Sequence, residues 1–153
     1  MKAIIFSDSH GSFEPMLRAV ENEEKVDMII HAGDVLRDVE DLRIMYPRKN
    51  IVCVKGNNDF WDRTEVDERV FEFSGVKIFL AHGHTYGVKY TLGKVYEKAV
   101  SLGADICIFG HTHLPLCEKR GNVFVFNPGA ASKTYGVLEI KKDNNFDLKI
   151  CEI

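Results

Sequence analysis

The N-terminal third of the chain alternates short apolar runs with segments of helical periodicity. Residues 2–6, 27–32 and 51–54 are apolar runs of strand length. Between these runs, apolar residues recur every three or four positions over 13–20 and 36–45, which is the spacing of one helix face. Strand, loop and helix in this order predict parallel strands and an α/β fold. In such sheets the ligand crevice lies at the carboxyl ends of the strands.

The rest of the chain follows a different pattern. Residues 69–73 and 76–81 alternate on either side of a Ser-Gly pair, which predicts a β-hairpin. Helical spacing returns over 92–100, and the apolar run at 105–109 predicts a further buried strand. We expect the C-terminal part to form a meander of strands at 116–118, 123–126, 136–141 and 146–153.

Length and composition favour one domain over residues 1–153. The formal charge of −3 and the absence of a Lys/Arg-rich run argue against a stable nucleic-acid partner. No apolar stretch reaches membrane-spanning length, so we expect a cytoplasmic protein without a membrane partner. The cysteines are widely spaced, which favours inert core thiols over disulfides or a zinc–thiolate site. They are Cys53, Cys107, Cys117 and Cys151.

Side chains able to bind a metal follow five of the predicted strands. The clusters are Asp8-x-His10, Gly33-Asp34, Gly56-Asn57, His82-Gly83 and Gly110-His111-x-His113. Each cluster alone is also compatible with a turn, a helix cap or a pair of surface histidines. Together, at one sheet edge, they would form a pocket of carboxylates and imidazoles. Bringing these polar groups together without partners costs free energy. A bound cation would make this arrangement of side chains favourable.

The number of candidate ligands favours two ions over one. The seven side chains are Asp8, His10, Asp34, Asn57, His82, His111 and His113. Imidazole and carboxylate ligands without a thiolate favour Mn, Fe, Co, Ni or Zn over Ca or Mg. Two metal ions about 3.5–4 Å apart clamp a phosphoryl group and activate a water between them. Their net positive charge would attract a phosphate anion.

The ordered motifs resemble the calcineurin-like metallophosphoesterase family, and most of all its small single-domain phosphodiesterases. The resemblance runs from Lys2 to about Gly129 and includes Asn127-Pro128-Gly129. It implies two packed mixed β-sheets flanked by helices, an αββα sandwich. It also implies a distribution of ligands in which Asp34 bridges two metals, one held by Asp8, His10 and His113 and the other by Asn57, His82 and His111.

The resemblance further implies the reaction. A small phosphodiester would be hydrolysed by attack of a hydroxide that bridges the two ions, without a covalent enzyme intermediate. Mn is the metal we expect first, with Ni, Fe, Co or Zn as alternatives. Asp34 is one predicted catalytic residue in this scheme, because it would hold both ions.

The second predicted catalytic residue departs from the family pattern. Many members carry His directly after the metal-binding Asn, where it contacts phosphate and assists the leaving group, but this chain has Asn58. An amide can donate a hydrogen bond to substrate but cannot act as a general acid near neutral pH. We therefore expect nitrophenyl diesters, which have acidic leaving groups, to be hydrolysed faster than simple alkyl esters.

Two other functions remain open on the sequence. One is a binding scaffold on the same fold, as in the retromer subunit that is similar to this family. Such scaffolds lose metal ligands, whereas all seven positions here hold competent residues. The other is a phosphomonoesterase or protein phosphatase, which the short chain and Asn58 disfavour. A homo-oligomer remains an alternative to a monomer.

Several residues lie near the motifs without matching a ligand position. We expect His31 to be a hydrogen-bonded core histidine or one that supports a metal ligand, and not a ligand itself, because it lies inside a strand run. His84 is predicted to line the pocket, with transfer of a proton as an additional role that stays open. Asp59 is predicted to be either a structural residue or one that orients a metal ligand. An aromatic wall for a base or aryl group, core packing and an oligomer interface are alternatives for Phe60, Trp61, Tyr86 and Tyr90.

Overall fold

The computed structural model describes residues 1–143 and 145–153, which form two five-stranded β-sheets and three α-helices. In chain order the elements are β1 (Lys2–Phe6), α1 (Phe13–Asn22), β2 (Met28–His31), α2 (Leu36–Met45), β3 (Asn50–Cys53), β4 (Glu68–Phe73), β5 (Val76–Ala81), α3 (Gly93–Ser101), β6 (Ile106–Ile108), β7 (Leu116–Arg120), β8 (Val123–Asn127), β9 (Thr134–Ile140) and β10 (Phe146–Glu152). Short 3-10 turns lie at Asn57–Asp59 and His84–Tyr86.

Each sheet is mixed and has three parallel strands. The first sheet has the order β10-β9-β1-β2-β3, in which β1, β2 and β3 are parallel and β9 runs antiparallel to β1. The second sheet has the order β4-β5-β6-β8-β7, in which β5, β6 and β8 are parallel. The predicted sandwich of two mixed sheets flanked by helices is therefore confirmed.

Apolar layers between the sheets and on their outer faces hold the sandwich together. The central layer lies between the sheets and joins residues such as Ile5 and Ile30 to Ile78 and Ile108. On the outer face of the first sheet, Ile4 and Phe6 belong to a cluster with the apolar side of α1. The alternation along β1 explains why that strand is a continuous apolar run, since both of its faces are covered.

The structure confirms the predicted helices and the hairpin of β4 and β5, but the predicted C-terminal meander is wrong. β7 and β8 pair in the second sheet, whereas β9 and β10 pair in the first. The chain crosses between the sheets over residues 128–133. The polar strand ends likewise come from two sheets instead of one sheet edge. Alternation indicates which face of a strand is buried, but it does not identify the neighbouring strand.

An arginine connects the two sheets at their edges. Arg69 in β4 donates from Nε to the carbonyl of Cys53 in β3 at 2.8 Å and from Nη2 to Glu65 at 2.6 Å. Glu65 also accepts from Arg43 of α2 at 2.9 Å. Burial disfavours ionised Glu65, but its hydrogen bonds with both arginines lower the pKa of that carboxyl. The edges of the sheets are thus tied through a shared charge network.

The cysteine predictions hold for two positions. Cys53 and Cys107 are buried, and burial raises the pKa of each thiol to about 12. Neither thiolate therefore forms at neutral pH. Cys117 is exposed and Cys151 is half-buried, so those two are not core thiols. In the part of the chain that the structure describes, no helix has the length and apolarity needed to cross a membrane.

Replacement of Gly136 by Ala is expected to destabilise the fold. A methyl group at Gly136 would lie 2.5 Å from Cε1 of Phe126 in the opposite sheet and 3.1 Å from Cβ of Ile5. Overpacking of this kind costs about 1–3 kcal/mol. Urea titration should show that loss in the free energy of unfolding for Gly136→Ala. Gly93→Ala, at the start of α3, should be at least as stable as the wild type. Equal unfolding midpoints for Gly136→Ala and wild type would contradict this packing.

Candidate metal centre

Parallel strands of both sheets end at one place and deliver the candidate ligands there. Backbone hydrogen bonds fix the loops to one another. The amide of Asp8 donates to the carbonyl of Gly33 at 3.0 Å, and the amide of Gly110 donates to the carbonyl of His82 at 3.0 Å. The first bond joins loops within one sheet, and the second joins loops within the other. Between the sheets, the amide of His111 donates to Oδ2 of Asp8 at 2.9 Å, so the site is assembled by the sandwich and not by any single loop.

Left-handed backbone is concentrated at this site. Seven non-glycine residues among those described have positive φ, and five of them are candidate ligands. The five are Asp8, His10, Asp34, His111 and His113. Such conformations are unfavourable for residues with a side chain and cluster where function requires them. Their concentration here is an independent indication of a functional site.

Asp8 is buried at the middle of the cluster, and its two oxygens have different surroundings. Oδ2 accepts hydrogen bonds from the hydroxyl of Ser7 at 2.7 Å and from the amide of His111 at 2.9 Å. Oδ1 is also buried but has no hydrogen-bond partner among the described residues. It lies 3.2 Å from Nε2 of His113 and 3.8 Å from Nε2 of His82. One oxygen is thus anchored, and the other is directed at imidazole nitrogens.

His82 has the orientation expected of a neutral metal-binding imidazole. Its ring is fully buried, and Nδ1 lies 2.7 Å from the carbonyl of Ala32. Because a carbonyl only accepts, Nδ1 carries a proton, and in the metal-binding form of the ring the lone pair is on Nε2. Nε2 lies 3.2 Å from Oδ1 of Asn57 and 3.6 Å from Oδ2 of Asp34. Oxygen atoms of Asn57 and Asp34 therefore lie next to the nitrogen that could bind a metal.

Asp34 faces both sides of the cluster. It is 2 % exposed, and its Oδ2 lies 3.9 Å from Nε2 of His10 as well as near His82. Both oxygens also accept hydrogen bonds from Asn58: the backbone amide donates to Oδ1 at 2.9 Å and Nδ2 donates to Oδ2 at 2.7 Å. Asn58 therefore fixes the plane of the Asp34 carboxylate.

The remaining histidines lie at the mouth of the cluster. The rings of His10 and His113 are 5.2 Å apart, with side chains 40 % and 49 % exposed. The His111 ring lies 5.1 Å from that of His82. Burial and the neighbouring His82 lower the pKa of His111 to about 4. His111 is therefore neutral at physiological pH, the form in which imidazole binds metals.

Among the described residues there are two sets of potential ligand atoms, and within each set all atoms lie within 4.8 Å of one another. One set is Asp8, His10 and His113, and the other is Asp8, Asp34 and His82. The unpaired Oδ1 of Asp8, the free Nε2 of His82 and the mixture of imidazole and carboxylate fit divalent transition metals. Asp8 belongs to both sets, so the two positions share a carboxylate at this residue as well as facing Asp34. His111 lies outside both sets.

Asp59 supports the cluster from below. It is fully buried in the turn that also holds Asn57 and Asn58. Oδ2 accepts from the amides of Gly56 at 2.8 Å and Asp34 at 3.1 Å, and Oδ1 accepts from the amide of Leu36 at 2.9 Å. Asp59 thereby joins the loops that follow β2 and β3.

Sequence reasoning assigned no role to four other residues that hold the ligand loops. Ser9 donates to the carbonyl of Asp34 at 3.2 Å, and Asp38 of α2 accepts from the amide of Gly11 at 2.8 Å. Asn127 donates to the carbonyl of Gly110 at 2.9 Å. Ser7, which binds Asp8, is the fourth. The available signal was polar residues at the ends of otherwise apolar strands.

The two histidines outside the ligand motifs have different surroundings. His31 is fully buried, and its Nδ1 accepts from the amide of Gly33 at 3.2 Å, as predicted for a hydrogen-bonded core residue. Burial lowers the pKa of His31 to about 4. The His84 ring lies 5.4 Å from that of His82 and 6.1 Å from that of His111. Burial and the neighbouring His82 lower the pKa of His84.

The four aromatic residues near the motifs differ in their exposure. Tyr86 packs edge-to-face on Phe79 with ring centroids 6.0 Å apart and donates a hydrogen bond to Glu68. It is therefore a packing residue. Phe60, Trp61 and Tyr90 are 84 %, 60 % and 95 % exposed.

Replacement of Asp59 by Asn is expected to weaken metal binding. The amide group places a donor where a carboxylate oxygen accepts from backbone N–H groups, so the Asp34 loop loses support. Loss of such support typically lowers metal affinity about 10–100-fold. Calorimetric titration with Mn²⁺ measures this change. Asp62→Asn is the matched control, because among the described residues the side chain of Asp62 accepts within its own turn, from Thr64 and Glu65. Equal affinity for Mn²⁺ in both variants would show that Asp59 does not position the ligands.

Comparison with known proteins agrees with this geometry. Residues 1–143 match the Calcineurin-like phosphoesterase superfamily domain. The chain is 35 % identical to the probable metallophosphoesterase YsnB of Bacillus subtilis over 152 residues, covering 94 % of this chain and 86 % of that protein. It is 31 % identical to phosphodiesterase MJ0936 of Methanocaldococcus jannaschii, covering 93 % and 95 % of the two chains.

Solved structures show the same fold. A predicted phosphoesterase from Streptococcus pneumoniae superposes with a TM-score of 0.77 at 26 % identity, covering 99 % of this chain and 97 % of that one. Zinc-complexed Vps29 from Entamoeba histolytica superposes with a TM-score of 0.79 at 19 % identity, covering 99 % of both chains, a likeness that extends to the fold alone. On its domain match and its relatives, this chain belongs to the calcineurin-like phosphoesterase superfamily.

Proposed function

We propose that this protein is a dinuclear metal-dependent phosphodiesterase that hydrolyses a small phosphodiester. The observation that carries the proposal is the pair of ligand sets that share Asp8, whose Oδ1 is buried without a hydrogen bond among the described residues. Relatives named phosphodiesterase, MJ0936 and the YfcE protein of Escherichia coli, support the choice of a diester.

The proposed ligands follow the two ends of the cluster. Asp8, His10 and His113 would hold one ion, Asn57, His82 and His111 the other, and Asp34 would bridge them. Mn is the first choice, with Ni, Fe, Co or Zn as alternatives. When bound, two such ions supply an activated water and positive charge for the phosphate oxygens.

The protein's own contribution is to hold these groups in place before substrate arrives. Asp59 and Asn58 fix the loop and the carboxylate of Asp34, and Ser7 fixes Asp8. Rigid placement of charge costs no reorganisation during the reaction. His10 and His113 are partly exposed, so the phosphate group of a substrate can approach from solvent.

Asn58 is the proposed contact to substrate. Its side-chain amide has two N–H donors, and one of them is directed to Oδ2 of Asp34. The second is free to donate to a phosphate oxygen. An amide has no proton to transfer at neutral pH, so Asn58 would orient the phosphate without protonating the leaving group.

A metal-by-substrate matrix on stripped protein tests the proposed function. Activity should appear on diesters when Mn²⁺ or another transition metal is restored, and should exceed activity on matched monoesters. Asp34→Asn should lower diesterase activity more than about 100-fold. Replacing a residue that only hydrogen-bonds to a metal ligand already costs about 10–100-fold. Asp147→Asn, the same change on edge strand β10, is the control. Full activity of Asp34→Asn would refute the site, and preference for monoesters would favour a phosphomonoesterase.

Dependence on the leaving group tests the role of Asn58. Turnover by the wild type should fall steeply from nitrophenyl to alkyl diesters. Because general acid catalysis is worth about 10²–10⁴-fold, Asn58→His should raise alkyl diester turnover at least about tenfold and flatten this dependence. Asn122→His, in the exposed turn between β7 and β8, should leave the dependence unchanged. Equal wild-type rates on both substrate types would contradict the assignment.

A further inference from the structure

An apolar cleft lies beside the candidate metal centre. Its volume is about 620 Å³, within the roughly 300–1,000 Å³ typical of small-molecule sites. The apolar side chains that line it are Val88, Leu92, Phe109, Leu114, Pro115 and Leu116. Val88 and Phe109 belong to an apolar cluster of the second sheet, but the proposed metal chemistry does not use the open side of the cleft.

The cleft is continuous with the ligand loops. Gly83 follows His82, and a methyl group at Gly83 would lie 2.8 Å from Cγ2 of Val88 and 3.5 Å from Cδ2 of Phe109. The inner wall of the cleft therefore rests directly on the turn that carries His82. Burying an apolar group here would place it next to whatever the metal centre binds.

The loop after β6 serves both the metal centre and the cleft. Thr112 lies between His111 and His113 and lines the cleft. Its hydroxyl accepts from Nδ2 of Asn127 at 3.0 Å and from the amide of Leu114 at 3.3 Å. Two ligand candidates and a cleft wall are thus parts of one braced segment.

The polarity of the cleft matches one kind of ligand. Its wall is apolar, and Leu114 remains 69 % exposed directly after His113. Lys89 is the cation that lines the same cleft. An apolar surface with one positive charge, adjoining a site for phosphate, complements an anionic phosphate that carries an apolar substituent.

We propose that the cleft binds an aromatic substituent on an ester oxygen of the substrate. The proposal rests on the proposed function for the position of the phosphate, and it adds the class of substrate: diesters with an aromatic group. The ring would pack on Val88, Leu92 and Leu114, and Lys89 would lie close to the charge of the phosphate. An apolar group smaller than a ring would leave this surface exposed.

Binding of two phosphonates to the Zn²⁺-loaded protein tests the cleft without hydrolysis. Benzylphosphonate and methylphosphonate contain no ester bond and differ only in the ring. Burying a ring-sized side chain is worth about 1.5–3 kcal/mol, so benzylphosphonate should bind at least about tenfold more tightly. In ¹H–¹⁵N spectra it should shift the amides of Val88, Leu92 and Leu114. Equal affinities without shifts at these amides would overturn the proposal.

A matched pair of variants locates the effect. Leu114→Ser should weaken benzylphosphonate about fivefold and leave methylphosphonate unchanged, since one leucine contact is removed. Ile44→Ser, at a similarly exposed position on α2, should leave both affinities unchanged. An equal loss for both ligands in Leu114→Ser would place the effect at the metal centre and contradict the cleft assignment.

The outcomes separate this proposal from the proposed function. Hydrolysis of diesters with equal binding of the two phosphonates would overturn the cleft assignment alone. Binding of benzylphosphonate in the cleft without any diester hydrolysis would overturn the proposed function alone. Shifts at Val88 and Leu114 that follow protein concentration without ligand would show that a second copy covers the cleft, which also overturns the proposal.

Discussion

The structure depends on a buried carboxylate that its surroundings do not satisfy. Asp8 is almost fully buried, yet its Oδ1 faces imidazole nitrogens and has no hydrogen bond among the described residues. Asp34 is buried a short distance away. Two buried carboxylates at one point are unfavourable unless positive charge lies between them. Burial keeps the ring of His111 neutral at physiological pH, so a bound divalent cation would supply this charge.

The packing of the two sheets brings these buried carboxylates together. Each sheet contributes parallel strands whose carboxyl ends meet, and loops from one sheet pack on loops from the other. Glycine is needed where the loops touch: an ideal Cβ at Gly56 would lie 1.8 Å from Oδ1 of Asp34, and one at Gly110 would lie 1.8 Å from Oγ of Ser7. The left-handed backbone at the ligand positions is held by this packing.

Much of the fold and of the candidate site could be predicted from local pattern. Apolar runs and helical spacing located the strands and helices, and each polar cluster directly after a strand lies at the site. The sheet to which β9 and β10 belong could not be predicted, because alternation reports burial and not partners. Nor could the double role of Asp8, since proximity to both His113 and His82 arises only when two sheets pack.

The supporting residues and the cleft also depend on contacts between distant parts of the chain, which local pattern does not predict. Asp59 was expected to be structural or to orient a ligand from its position in the motif, but its three amide partners belong to loops after different strands. Val88 and Leu114 line the same cleft but belong to different loops, and no sequence spacing predicts that they lie together. Features within one loop are accessible to sequence reasoning, and features between loops depend on the tertiary structure.

Anomalous diffraction from crystals grown with Mn²⁺ tests the central claim most directly. Two cations held by the buried carboxylates predict two anomalous peaks about 3.5–4 Å apart, with Asp8 and Asp34 as ligands. If crystals grown with excess Mn²⁺ show no peak near Asp8 and Asp34, there is no metal centre at this site.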